Sequence, residues 1–366
     1  MYKAFLGWGG VFLFALTLPT LDCVEAKIIE SFADIAEKAI PGVVNIRTTS
    51  YTEKGSADLD VYKFFLQGRL PNSTTSQSLG SGVMIDRKGF IVTNHHVIKG
   101  ASSIHVLLAN SRKQLLAKVM GSDPKTDLAL LYVTPDKTAG SFTALDLGNS
   151  DSLRVGDIVL AIGNPFGYAH TVTSGIISAK GRVIGAGPYD NFLQTDAGIH
   201  PGNSGGPLLD IRGRVIGINT AVSEKGEGIG FAIPINLVRK IVDDLQKHGK
   251  VKRPWLGVVG KNIQPEDDLE SNIGVDQNGL FGVIVANLIV EGPAFKAGVK
   301  MGDVILSIGD TKISDMNHLQ RVLTNLSPHE QIRIKIYRRQ AGFMYLTISL
   351  EEIPKTEDLP VEKDFF

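Results

Sequence analysis

The sequence has a single cysteine and no net charge, and each of these two features excludes a class of protein. Its 366 residues include a single cysteine, which can form neither an intrachain disulfide nor a multi-thiolate metal site. Lysine and arginine number 38, as do aspartate and glutamate, so a net charge of zero supplies no electrostatic footprint for nucleic acid. We therefore expect a globular protein that binds no nucleic acid and needs no metal or other cofactor.

The longest apolar run lies at the amino terminus. Lys3 precedes an apolar segment over residues 4–18, and Val24-Glu25-Ala26 has the spacing of a signal-peptidase site. We expect residues 1–26 to be a signal peptide that is cleaved after Ala26, so that the mature chain is exported. The alternative is a retained membrane anchor, because residues 4–21 are barely long enough to span a bilayer.

The rest of the chain is rich in glycine and in short β-type runs. Glycine contributes 40 of the 366 residues, about 11% against a usual ~7%, which fits many tight turns. An amphipathic helix is predicted over 27–40, and runs of period two follow it. These runs are 43–46, 81–85, 90–93, 103–108, 128–133, 158–162, 171–177, 192–195, 207–209, 215–220 and 230–233. Short strands without intervening helices predict a mostly β fold, either a barrel or a sandwich.

Composition divides the chain into two units. Residues 234–250 have apolar side chains at helical spacing and close a first unit of residues 27–250. A linker at 251–254 leads to a second, strand-rich unit over 255–352. Residues 353–366 form a polar, acidic tail.

Two further segments add detail to these units. In the first unit, residues 49–78 form a long polar loop with an apolar patch at 61–66, and a loop of that length is usually functional or disordered. In the second unit, helices are predicted at 293–297 and 316–325.

A candidate nucleophile lies in residues 202–207, Gly-Asn-Ser-Gly-Gly-Pro. A serine hydroxyl becomes a nucleophile when a base takes its proton and donors hold the oxyanion that develops. The same pattern occurs in the nucleophile elbow of α/β-hydrolases, which requires a helix after the serine and the chain order Ser, Asp or Glu, His. Here Pro207 and a strand follow Ser204, so we reject the elbow.

A histidine and an aspartate upstream have the positions that such a serine needs. Val92-Thr93-Asn94-His95-His96-Val97 places histidine at a strand end, and Asp127 precedes the strand at 128–133. The separations are 127 − 96 = 31 and 204 − 127 = 77 residues. The order His, Asp, Ser is that of chymotrypsin-type β-barrel proteases. Each residue alone is more often structural, but the three together predict catalysis.

Several stretches together resemble the HtrA/Deg family of serine proteases. They are SLGSGVMID, GFIVTNHHVI, DPKTDLALL, VLAIGNPFG, TVTSGIISAKGR, FLQTDAGIHPGNSGGPLLD and GIGFAIPINLV. The resemblance implies a chymotrypsin/trypsin-like double β-barrel over 27–250, a triad of His96, Asp127 and Ser204, and an oxyanion hole from the backbone amides of Gly202 and Ser204. His96 is preferred over His95 because the family places the catalytic imidazole directly before the valine. On an extended segment, the two side chains would point to opposite sides.

The resemblance also bears on substrate choice and regulation. Residues 197–199 and 228–231 should form a pocket wall, and neither stretch has an acidic residue to bind a basic side chain. The family implies cleavage after small or medium aliphatic residues, with Ile199 and Ile229 as pocket candidates; plain core positions are the alternative. Arg182 matches a family arginine on a loop that relays activation, with a solvated surface residue as the alternative.

The second unit resembles a PDZ domain over residues 255–350. It opens with Trp255, Leu256, Gly257 and Val258, a glycine-containing turn before a strand. Such a turn can direct backbone N–H groups at a terminal carboxylate, while the strand edge accepts an extended peptide. The resemblance therefore implies that C-terminal peptides bind at these four residues. The family often has tyrosine at the position of Trp255, and this difference leaves the size of the peptide-binding pocket open.

Together these resemblances imply an ATP-independent, periplasmic serine endoprotease that cleaves unfolded or damaged proteins in quality control and stress response. The family further implies a homotrimer or a multiple of trimers. The alternative function is a peptide-binding chaperone or scaffold with a latent protease site.

Overall fold

The computed structural model describes residues 31–51, 75–109, 111, 113–136, 142–164, 170–185, 187, 189–200, 202–222, 228–264, 275–276 and 279–354. The predicted signal peptide, the apolar patch at 61–66 and the end of the acidic tail lie outside these residues. Within the described ranges, none of the helices combines the length and apolarity required to cross a membrane.

Residues 43–234 form two closed six-stranded antiparallel barrels. The first contains β1 (Val43–Tyr51), β2 (Thr75–Met84), β3 (Phe90–Thr93), β4 (Ser103–Leu107), β5 (Gln114–Asp123) and β6 (Leu128–Val133), and closes in the order β1-β2-β3-β6-β5-β4. The second contains β7 (Ile158–Gly163), β8 (Thr171–Arg182), β9 (Phe192–Thr195), β10 (Pro207–Asp210), β11 (Val215–Val222) and β12 (Gly230–Pro234), and closes in the order β10-β11-β12-β9-β8-β7. Each barrel encloses its own apolar core.

The predicted mostly β fold is confirmed, with one strand missed. Strand β5 was absent from the runs of period two because its exposed positions include an apolar one: the Leu116 side chain is 69% exposed. A register shift between Val119 and Gly121 further disturbs the alternation. Strands β1 and β2 also extend into the segment that was predicted to be a loop.

In the part of the chain that the structure describes, the helices beside the barrels are α1 (Ala33–Ala39), α2 (His95–Ile98) and α3 (Ile235–His248). Helix α1 ends before a 3₁₀ turn over Ile40–Gly42, which contains Pro41, a residue that cannot continue an α-helix. The buried apolar face of α3 confirms its predicted amphipathic spacing. Gly249 ends α3 in the left-handed conformation, with φ of 69°.

The remaining elements form an α+β domain. Among the described residues its main sheet has six strands. Five follow the order β14 (Val258–Asn262), β17 (Val283–Leu288), β18 (Val304–Ile308), β20 (Gln331–Arg338) and β21 (Gly342–Ser349), and the sixth, β19 (Thr311–Lys312), pairs with β18. Two small pairs are β13 (Pro254–Trp255) with β22 (Glu351–Glu352), and β15 (Val275–Asp276) with β16 (Gly279–Leu280). The two predicted helices are present as α4 (Pro293–Lys296) and α5 (Met316–Thr324). Asp315 caps α5 by accepting a hydrogen bond from the His318 backbone N–H at 2.8 Å.

Candidate active site

The first barrel pairs His96 with Asp127. Strand β3 leads directly into α2, which carries His96, and β3 pairs with β6, which Asp127 precedes. The His96 Nδ1–H donates to Asp127 Oδ2 at 2.7 Å, and the His96 backbone N–H donates to Asp127 Oδ1 at 2.9 Å. Asp127 adopts a left-handed backbone conformation with φ of 55°, which is uncommon outside glycine. Both oxygens of the Asp127 carboxylate therefore bind His96, one at its imidazole and the other at its backbone N–H.

The expectation that His95 and His96 lie on an extended segment was wrong. They form the first turn of α2, because the chain bends into a helix as soon as β3 ends. The His95 backbone N–H donates to the Asp127 carbonyl at 3.1 Å, while its buried Nδ1 makes no hydrogen bond within the described part of the chain. Burial lowers the pKa of His95, and the nearby Asp127 carboxylate opposes that shift less strongly. His95 is thus a neutral neighbour of the His96–Asp127 pair at neutral pH.

In the second barrel, Thr220 links Ser204 to the His96–Asp127 pair by hydrogen bonds. The Ser204 hydroxyl donates to the Thr220 carbonyl at 3.3 Å, and the Thr220 hydroxyl donates to Asp127 Oδ2 at 2.6 Å. The structure therefore assembles His96, Asp127 and Ser204 at the junction of the barrels. Sequence reasoning missed Thr220, because nothing in a strand of the second barrel indicates that it passes a carboxylate from the first.

The loop around Ser204 adopts backbone conformations that require glycine. Gly202 and Gly205 have φ angles of 103° and 82°, which residues with a Cβ rarely adopt. A Cβ at Gly205 would lie 2.2 Å from the Ser81 carbonyl oxygen, so the loop packs directly on β2. Asn203 fixes the loop further: its Oδ1 accepts from the His200 backbone N–H at 3.0 Å, and its Nδ2 donates to the Gly198 carbonyl at 3.1 Å.

The two pocket candidates lie next to this loop. Ile199 is buried against β12, where a Cβ on Gly230 would come within 2.4 Å of the Ile199 side chain. Ile229 is partly buried and directly precedes β12. Asp196, three residues before Ile199, is exposed and accepts a hydrogen bond from the Ile176 backbone N–H at 2.7 Å. Ile199 itself belongs to the apolar core cluster of the second barrel.

The predicted regulatory residue Arg182 has an exposed position at the end of β8. A different arginine contacts the loop that follows. The guanidinium of Arg253, in the linker, stacks 4.5 Å from the ring centroid of Tyr189 and forms a salt bridge with buried Asp123. Asp123 also accepts a hydrogen bond from the hydroxyl of Thr126, the residue before Asp127. Sequence reasoning missed Arg253 because the contact joins residues 130 positions apart.

Replacing Arg253 with Met should lower the stability of the chain markedly. The change leaves the Asp123 carboxylate buried without its counter-ion, which typically costs about 3–5 kcal/mol. Urea unfolding measures the loss. The matched control is Arg154→Met, which removes an exposed pair with Asp157 and should change stability by less than about 1 kcal/mol. Equal stabilities for the two variants would show that the Arg253 pair does not hold the linker.

The predicted peptide-binding turn borders a groove. Leu256 is buried, and Gly257 has a φ of 76°. A cavity of about 230 Å³ lies between this turn and helix α5, and it is also lined by α3 residues such as Lys240. The Lys240 ammonium donates to the carbonyls of Thr324 and Leu326 at 2.5 and 2.7 Å, and burial lowers its pKa. The lysine thus fixes the end of α5 against the barrel domain.

Comparisons with known proteins agree with this architecture. Residues 80–218 match the trypsin-like peptidase domain family, and residues 254–348 match the PDZ domain family. A probable periplasmic serine endoprotease, DegP-like, from Marinomonas sp. is 38% identical over 90% of this chain and 73% of its own length. One with the same description from Brucella suis is 44% identical over 71% of this chain, which spans half of that relative.

A solved structure is similar over nearly the whole chain. The HtrA-type protease AlgW with a tripeptide has a TM-score of 0.71 and 38% identity, and the match covers 90% of this chain and 99% of that one. Two β-barrels that carry a His, an Asp and a Ser at their junction, followed by a PDZ domain, define a trypsin-like serine endoprotease. The chain belongs to the HtrA family of DegP-like serine endoproteases.

Proposed function

We propose that Ser204 is the nucleophile of this endoprotease, that His96 is its general base and acid, and that Asp127 orients His96. The observation that carries the proposal is the chain of hydrogen bonds from His96 Nδ1 to Asp127, from Thr220 to Asp127 and from Ser204 to Thr220. This chain joins groups from both barrels and leaves Asp127 well placed to stabilise an imidazolium.

The reaction follows from this geometry. His96 Nε2 takes the proton of Ser204 Oγ while the oxygen attacks the peptide carbonyl, and the backbone N–H groups of Gly202 and Ser204 stabilise the oxyanion. His96 then gives the proton to the leaving amine, and water hydrolyses the acyl-enzyme by the same route. The Ser204 hydroxyl donates to the Thr220 carbonyl at 3.3 Å, and in the proposed reaction it donates to His96 Nε2 instead.

The hydrogen bond from Ser204 to Thr220 is also relevant to the alternative function, a chaperone or scaffold with a latent protease site. A site in which the Ser204 hydroxyl donated only to the Thr220 carbonyl would hold a peptide without cutting it. The hydrogen bond between His96 and Asp127 that a protease needs is already formed, however, so we favour a protease over a permanently latent site.

The proposed substrates are unfolded or damaged polypeptides. An extended chain can enter the junction of the barrels, and the apolar wall at Ile199 and Ile229 favours a small or medium aliphatic residue before the cut bond. The groove next to Trp255, Leu256, Gly257 and Val258 would bind C-terminal peptides by β-augmentation along β14. Arg182 would act in the loop that couples the two sites, at the end of the strand that leads to Tyr189.

The proposed cellular setting rests on the sequence and on the relatives. Residues 1–26 are proposed as a cleaved signal peptide, 27–250 as the protease domain, 255–352 as the PDZ domain and 353–366 as a tail. The relatives are named probable periplasmic proteases, and we propose the same compartment here. A homotrimer, or a multiple of trimers, is the proposed assembly, and sedimentation of the mature chain tests it.

Mapping the cleavage products of denatured casein tests the proposed substrate choice. We expect cuts after Val, Ala and Ile, and few after Lys or Arg, because the proposed wall stretches 197–199 and 228–231 contain no acidic residue. Ile199→Ala should shift the preference toward Leu, Met and Phe by roughly tenfold, since a few methylenes in an apolar pocket change selectivity by that order. Ile176→Ala, on the exposed face of β8, is the control. Cuts after basic residues, or an unchanged profile for Ile199→Ala, would refute the assignment.

A further inference from the structure

Ser81, which no part of the mechanism above uses, binds both sides of the nucleophile loop. It lies on β2 of the first barrel and is fully buried. Its backbone N–H donates to the carbonyl of Ser204 at 2.9 Å, and its hydroxyl donates to the carbonyl of Gly202 at 2.6 Å. One residue of the first barrel therefore holds the two carbonyls that flank the proposed oxyanion hole in the second.

The direction of the Ser81 hydroxyl is fixed by a second contact. The Asn164 backbone N–H donates to Ser81 Oγ at 2.8 Å, so the hydroxyl proton is directed to Gly202. The cross-strand neighbour of Ser81, Asn45, donates its Nδ2 to the Asn164 carbonyl at 2.6 Å. The Ser81 carbonyl in turn accepts from the Thr93 hydroxyl at 2.7 Å, on the strand that leads to His96.

Gly202 needs such an external restraint. A glycine, here at φ of 103°, has many accessible conformations and no side chain that could hold it in one of them. The donors of an oxyanion hole act only when they are held in place before the charge develops. A rotation about Gly202 would turn its N–H away from the substrate oxygen or bring a carbonyl dipole toward it.

We propose that Ser81 is a positioning residue for the oxyanion hole, holding Gly202 and Ser204 in register through their carbonyls. The proposal rests on the proposed function of Gly202 and Ser204. It assigns to the first barrel a role in transition-state stabilisation beyond its supply of His96 and Asp127.

Replacing Ser81 with Ala tests the proposal. The variant loses the donor to Gly202 but keeps the backbone contacts, so we expect kcat on a chromogenic peptide to fall roughly 10- to 100-fold, as for a small displacement of catalytic groups. KM should change less than about threefold, and affinity for a peptide boronate should fall in parallel with kcat, because only the transition state uses the hole. The pH dependence of kcat should keep its midpoint, since His96 and Asp127 are untouched.

The matched control is Ser150→Ala, another buried serine whose hydroxyl accepts a backbone N–H, from Asn236 at 3.2 Å. It should have wild-type kcat. Ser81→Cys, which keeps a weak donor of similar size, should lie between Ser81→Ala and wild type. Wild-type kcat and boronate affinity in Ser81→Ala would overturn the proposal, as would unfolding of both Ser81 variants while Ser150→Ala stays folded. If wild-type protein does not react with a fluorophosphonate at Ser204, the proposed function itself fails, which is a separate result.

Discussion

Ser204→Ala should lower turnover of casein and of peptide substrates by on the order of 10⁶, close to complete loss. The methyl group offers no nucleophile, and the remaining hydrogen bonds around Asp127 cannot replace it. Within the described residues, the Ser204 hydroxyl makes a single long hydrogen bond, to Thr220, so its removal should leave the fold and the thermal unfolding temperature close to those of the wild type. Initial rates measured at matched, substrate-saturating concentrations give the comparison.

Two control measurements show whether the loss of turnover is specific to the Ser204 hydroxyl. Ser152→Ala, which removes an exposed serine hydroxyl in the second barrel, should retain wild-type turnover. Binding of a C-terminal peptide to Ser204→Ala should also be unchanged, because Ser204 does not line the groove beside Leu256. Turnover in Ser204→Ala within a hundredfold of wild type would exclude Ser204 as the nucleophile.

Asp127→Asn should lower turnover by about 10⁴ while the protein stays folded. The carboxylate accepts three hydrogen bonds, two from His96 and one from Thr220. An amide in its place would present an N–H to one of these donors, so His96 is stabilised in the wrong tautomer and the imidazolium loses its counter-charge. Asparagine tolerates the left-handed backbone at this position, so the substitution adds no backbone strain.

The control for this variant is Asp196→Asn, at an exposed carboxylate that binds only the backbone N–H of Ile176 within the described residues. Its turnover should stay within about threefold of wild type. If Asp127→Asn and Asp196→Asn have similar kcat values, Asp127 does not orient the base.

The residues proposed to be catalytic could be selected from the sequence because each lies in a short local pattern. Ser204 is surrounded by glycines, and His96 and Asp127 stand at strand boundaries that the period of two reveals. The barrel fold was predictable for a similar reason. Strand β5 was not, since its exposed Leu116 and its register shift break the alternation that identifies a strand.

The groups that hold the site could not be predicted in this way. Thr220, Ser81 and Arg253 act through contacts between residues 93, 121 and 130 positions apart. No local sequence pattern distinguishes any of these three residues from its neighbours. Each contacts its hydrogen-bonding partner only because the barrels close or the linker packs against them. The helical turn at His95 was missed because four residues are too few to show a period.

The most direct test of the account is to label the mature protein with an active-site-directed fluorophosphonate and to map the modified residue by mass spectrometry. We expect modification of Ser204 alone, with labelling abolished in Ser204→Ala and strongly slowed in Asp127→Asn. Stable modification of another residue, or no modification of a preparation that still cleaves casein, would contradict it.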